Sequence, residues 1–242
     1  MPILQAALPN DWTSAGSVKL FSPILAGATI SERLIACAGA FAAIALTAAT
    51  GLVFPAPSPL VVAPIGASAV LIFAVPTSPL AQPWPVIGGN VISACVGLCV
   101  AWAVPDVTLA AALAVALAIA VMSVTRSLHP PGGAVALTAA LGGSAVAKWG
   151  YLFPLIPVGV NSLALVALGV AFHALSRRSY PHRVARSELN KLPKGATPPF
   201  SAADIDEALS QMGETFDIAR DDLDRLLQYA EANAARRQAR TS

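Results

Sequence analysis

Residues 126–143 read RSLHPPGGAVALTAALGG, an arginine, a histidine, two prolines and two glycines set between long apolar runs. The placement is unusual because the surrounding chain is so poor in charge. Of its 242 residues 56% are hydrophobic and 12% charged, and the mean hydropathy is +0.67. Between Leu34 and Ser176 the only full charges are Asp106, Arg126 and Lys148, while most acids and bases lie in the tail after Ser176. A water-soluble fold could not wet such a surface, so composition points to an integral membrane protein whose first partner is the lipid bilayer.

Spanning about 30 Å of hydrocarbon takes about 20 apolar residues in a helix. Residues 34–54, 86–104, 107–125 and 151–175 meet that length. Residues 60–75 and 132–147 are shorter and bounded by proline or glycine, and they could be full crossings or half-helices. If all six cross, Lys19, Arg33, Arg126 and the Arg177, Arg178, Arg183, Arg186 cluster share one side, leaving Asp106 and Lys148 opposite. The positive-inside rule favours that arrangement, with both termini cytoplasmic.

The expected fold is therefore all-α, a polytopic transmembrane bundle with a short helical tail. Residues 1–30 form a lead-in whose SVKLFSPILAGATI stretch suits an interfacial segment, and they lack the pattern of a cleaved signal peptide. Residues 31–178 form the transmembrane domain, 179–200 a Pro-rich basic linker, and 201–242 an amphipathic tail. Ser201 with Asp204 predicts a capping box at the start of that tail.

PIGASAV at 64–70 and PGGAVAL at 131–137 share P-x-G-A-x-A or a close variant, and each is followed by Pro-Val and an asparagine, Asn90 and Asn161. Each half then reads long span, proline break, short Gly/Ala helix, loop, long span. Three crossings per half would invert the second copy, as in many secondary transporters.

In the opening stretch Pro130 and Pro131 cannot continue the preceding helix, and Gly132 and Gly133 are expected to open the next with unpaired N–H groups. Glycines at a helix N-terminus make an anion site, and Pro64, Gly66, Ala67 and Ser68 would supply a second. Arg126 and His129, three apart, would share a face if the helix reached His129. Arg126 is then either a snorkelling anchor or a donor, and His129 a cap, a donor or a proton acceptor. Gln82, in the proline-broken PTSPLAQPWP segment, is a candidate pore-lining residue, with Trp84 suited to the aromatic belt. Asn90 and Asn161 could bridge helices or line the path.

A net charge of +2 without a basic stripe argues against nucleic acid. Cys37, Cys95 and Cys99 sit inside apolar runs and read as packing residues, and no acid pair, catalytic triad or metal-ligand cluster is visible in the membrane half. The expectation is a non-enzyme without a cofactor; a homo-oligomer is left open.

LHPPGGAVALTAALGG, taken with APIGASAVLIFAVPTSPLAQPW and VIGGN, resembles the HPP family of integral membrane proteins, named for the triplet at His129, Pro130 and Pro131. The resemblance covers roughly Lys19 to Arg183. It implies a bundle usually described as four transmembrane helices, and, from plant and cyanobacterial relatives, carriage of nitrite. Many bacterial relatives continue from a similar tail into paired nucleotide-sensing domains, and this sequence stops where those would begin: it is either a short member or a truncated chain. The expected function is transport of a small inorganic anion across a bacterial inner membrane. The alternative is a membrane anchor whose tail recruits or regulates a partner.

Overall fold

The computed structural model describes residues 29–49, 51, 61–176, 178–182, 201–213 and 216–241. The interfacial lead-in, most of the Pro-rich linker, and Lys19, Arg177, Arg183 and Arg186 lie outside them. Among the described residues the regular structure is entirely helical: α1 (Ile30–Ala49), α2 (Pro64–Ala74), α3 (Pro83–Ala103), α4 (Val107–Val124), α5 (Pro130–Leu141), α6 (Ser144–Trp149), α7 (Val160–Leu175), α8 (Ala202–Met212) and α9 (Arg220–Thr241). A wide turn, Pro154–Gly159, interrupted at Ile156, precedes α7 and extends it to a 22-residue apolar span. Four helices are long and apolar enough to cross a membrane: α1, α3, α4 and this extended α7.

The boundaries follow local chemistry. Asp106 caps α4 by accepting from the Leu109 N–H. Glycine ends α5 at Gly142, where φ is +78°, a conformation that a Cβ disfavours. In the tail the Asp204 carboxylate reaches back to the Ser201 N–H, as the capping box requires.

At 11 and 12 residues, α2 and α5 are about 17 and 18 Å long, too short to cross alone. Their directions are nevertheless those of crossings. Arg33, at the start of α1, donates to the Ala74 carbonyl at the end of α2 (3.2 Å), and Glu32 pairs with Arg178 beyond α7 (3.0 Å). Trp84 at the start of α3 donates to the Thr125 carbonyl after α4 (3.1 Å), and Tyr180 donates to the Ala81 carbonyl (2.9 Å). One end of the bundle thus gathers the starts of α1, α3 and α5 and the ends of α2, α4 and α7. The chain thus makes six passes with five reversals, α2 and α5 being the short ones, which reconciles the two readings of span number.

The expected repeat is also visible in the packing. Helix α5 lies against α3 and α4, and α2 lies against α7 and α1, while α3 meets α7 and α2 meets α5. Because α2 runs toward the common end and α5 away from it, the two short helices are oppositely oriented, as an inverted repeat requires.

The tightest packing is between α3 and α5. Gly89, Ser93 and Gly97 recur every four residues on one face of α3, and small residues let helix backbones approach closely. A Cβ on Gly97 would stand 2.4 Å from the Ala136 carbonyl oxygen, and one on Gly89 2.5 Å from that of Ser127. The three cysteines do not pack inside: Cys37, Cys95 and Cys99 all lie on outward faces.

Candidate functional site

Four segments bring polar side chains together in the bundle's interior, and all of these side chains are fully buried: Ser68 from α2, Asn90 from α3, His129 from the α4–α5 loop, and Asn161 with Ser162 from α7. The His129 ring joins two of the segments. Its Nδ1 lies 2.8 Å from the Leu80 carbonyl oxygen and its Nε2 2.8 Å from Ser68 Oγ. A carbonyl can only accept, so Nδ1 carries the proton; in the neutral ring Nε2 is then the acceptor, and the Ser68 hydroxyl donates to it. Asn90 Nδ2 in turn donates to Ser68 Oγ (3.3 Å) and to Ser162 Oγ (3.1 Å).

The result is a directed chain from Asn90 through Ser68 and His129 to the Leu80 carbonyl. Among the described residues no acid and no second titratable group belongs to it. The Asn90 carbonyl oxygen, also buried, has no hydrogen-bond partner. Leaving such an acceptor unpaired costs on the order of 1–3 kcal/mol, and only a hydrogen-bond donor could relieve it.

The sequence-predicted site residues divide sharply around this cluster. His129, Ser68 and Asn90 are brought to one place, and Asn161 is buried beside Ser162 on α7. Arg126 is not: α4 ends at Val124, Arg126 takes a left-handed backbone (φ +54°), and its side chain is exposed, so it shares no helix face with His129. Gln82 is bound within its own turn, donating to the Pro76 and Ser78 carbonyls and accepting from the His182 N–H, rather than lining a path.

The helix ends also differ from the expectation. Pro130 and Pro131 are the first two residues of α5, with His129 as N-cap, so the prolines and not the glycines open the helix. Neither proline has an N–H, and the Gly132 N–H is bonded to the His129 carbonyl (2.8 Å). At α2, Pro64 has none, and the N–H groups of Ile65 and Gly66 are bonded to Val62 and Ala63. The donors on which the helix-end reading relied are absent or already in use.

The glycines have other roles. A Cβ on Gly132 would stand 2.7 Å from Ser93 Oγ and 2.9 Å from Met122 Sδ, so its smallness seats α5 on α3, while Gly133 has only Val115 at 3.9 Å. Gly66 and Ala67 are exposed on the opposite side of α2 from Ser68, and Gly66 borders an apolar groove of about 390 Å³ with Phe41, Ile44 and Val70.

Residue-by-residue reading missed Ser162 and the Leu80 carbonyl. Ser162 adjoins Asn161 and carried a weak signal as a second polar residue in an apolar helix; a backbone carbonyl carries none.

The turn that presents Leu80 is itself held from several sides. Ser78 Oγ donates to the Asp217 carboxylate (2.8 Å) and accepts from the Leu80 N–H (3.1 Å). Tyr180 holds Ala81, and His182, which also pairs with Asp222 (2.8 Å), holds Gln82. Burial raises the Tyr180 phenol well above its ordinary range and keeps it a neutral donor. His173 packs between α7 and α2, reaching the Ile72 carbonyl (2.9 Å) among Phe73, Phe172 and Tyr180.

The family described as HPP, transmembrane region, matches residues 26–181, nearly two thirds of the chain and every element that builds the cluster. The chain belongs to the HPP transmembrane family. Two transmembrane proteins of Dictyostelium discoideum are similar to this HPP protein, 40% and 39% identical over 121 residues. The match takes in 48% of this chain and 38% and 42% of theirs, so the chain spans well under half the length of these relatives. No solved structure matches the HPP chain significantly.

Proposed function

We propose that this HPP protein carries a small inorganic anion across a bacterial inner membrane, its termini cytoplasmic, with nitrite as the first candidate. The observation that supports it most is the buried cluster itself. Ser68, Asn90, His129 and Ser162 gather hydroxyl, amide and imidazole groups at one buried place between α2, α3 and α7, without a carboxylate to repel an anion. Polar groups at membrane depth are costly and mark substrate paths. The anion site lies at these side chains rather than at the two helix ends, with Ser162 reaching it from α7. Nitrite is suggested by the plant and cyanobacterial relatives.

The test is nitrite uptake into liposomes containing the purified chain, followed colorimetrically. Uptake should exceed that of empty liposomes, and Ser68→Ala should slow it about tenfold or more, since a hydrogen bond to a charged group contributes about 1.5–3 kcal/mol. Uptake no faster than in empty liposomes, with no thermal stabilisation by nitrite or nitrate, would sink the substrate assignment.

A second reading, an anchor whose tail engages a partner, draws on the apolar groove of about 720 Å³ between α8 and α9, lined by Ile205, Leu209, Met212, Leu223 and Leu227. It expects removal of residues 201–242 to abolish function while Ser68→Ala is tolerated.

A further inference from the structure

We infer that anion binding at this cluster is coupled to uptake of one proton by His129, through reversal of the single hydrogen bond between His129 and Ser68; this rests on the anion reading above. Hydrogen-bond valence carries the argument. Ser68 has one hydrogen and two lone pairs. In the neutral state its hydrogen is committed to His129 Nε2, and one lone pair accepts from Asn90 Nδ2. Ser68 then has nothing to donate to a solute.

A proton added to Nε2 changes each of these roles. The ring, still donating from Nδ1 to Leu80, now also donates from Nε2, and Ser68 Oγ accepts from it. Oγ has a lone pair for each of its two donors, His129 and Asn90, so both bonds persist and the hydroxyl hydrogen turns away. Asn90 presents its amide nitrogen rather than its oxygen to Ser68, so it cannot take up that hydrogen. It is left for an oxygen of the anion. The same proton supplies a positive charge where there was none, so charge and donor arrive together.

The other ionisable groups around the cluster lie outside its chain of bonds, His182 paired with Asp222 beyond Gln82 and Tyr180 bonded to Ala81. Helix α2 and the 75–82 turn carry none, the two thiols of α3 face outward, Arg126 is exposed, and His173 of α7 is engaged with Ile72. Asp217 lies beyond Ser78 and bonds that hydroxyl. The linkage has a definite sign: the anion binds the protonated ring, so affinity falls as pH rises, and by reciprocity the bound anion makes His129 more basic.

The experiment is calorimetric titration of the purified full chain with nitrite, and separately with nitrate, between pH 6 and 8, in paired buffers of different ionisation enthalpy. Nitrate cannot bring the proton itself. Proton uptake should be on the order of one per anion, with Kd rising about tenfold per pH unit above the titration of the free histidine. His129→Gln, which cannot take up the proton, should lose the proton uptake and the pH dependence of binding and hold the anion more weakly. Binding by the wild-type chain without proton uptake, or with release, overturns the coupling and leaves anion transport standing. Failure of both anions to bind overturns the anion reading, and the coupling with it.

Discussion

Replacing Gly97 with alanine is expected to cost about 3 kcal/mol or more, the upper end of what overpacking inflicts. The added methyl would meet the Ala136 carbonyl oxygen at 2.4 Å and the Ala139 Cβ at 2.7 Å. Neither neighbour is the free end of a flexible side chain, so relief requires α5 to move off α3. Gly66→Ala is the matched control. Nothing lies within 4 Å of that position, and alanine in place of glycine in a helix should leave stability unchanged or raise it by up to about 1 kcal/mol. Thermal unfolding in detergent, followed by the loss of the monodisperse chromatographic peak, separates the two. Equal midpoints would mean that the α3–α5 seam is not as close as described.

His129→Asn is the second large effect, and it falls on transport. The asparagine amide can keep the Nδ1-like donation to the Leu80 carbonyl but cannot reach Ser68. Fold and thermal midpoint should therefore survive better than in His129→Ala, which leaves a cavity and two unpaired polar groups. Nitrite uptake should nevertheless fall at least about tenfold in both variants, since each loses the link to Ser68. If His129→Asn transports like the wild type, the histidine serves only to pin the 79–81 turn.

The two predictions mark what was legible in the residues and what was not. Length and apolar content locate the four long spans, and the proline-glycine breaks locate α2 and α5 within a few residues. The paired PIGASAV and PGGAVAL strings match because buried and outward positions alternate alike along α2 and α5, with Ala69 and Ala136 buried and Ala67 and Ala134 exposed. The role of the helix ends was misread for a countable reason. Two prolines at the head of α5 delete the donors that an anion would need, and the glycines behind them are small because α3 lies against them.

The partner of His129 lay beyond sequence reading. Ser68 is 61 residues away, and only the meeting of α2 with α5 across the two halves makes them neighbours. Arg126 shows the reverse error: sequence proximity to His129 suggested a shared task, and a left-handed residue at the end of α4 sends the two side chains apart.

The five residues from Ser78 to Gln82 have a consequence of their own. Ser78 is gripped by Asp217, Leu80 by His129, Ala81 by Tyr180 and Gln82 by His182, so one short turn is shared by the buried ring and by Tyr180, His182 and Asp217 beyond α7. It is a terminal block on which internal and external wiring meet. A change at the His129 ring is thus expected to reach α8 and α9 through this turn, where a fluorescent reporter on the tail helices would register it.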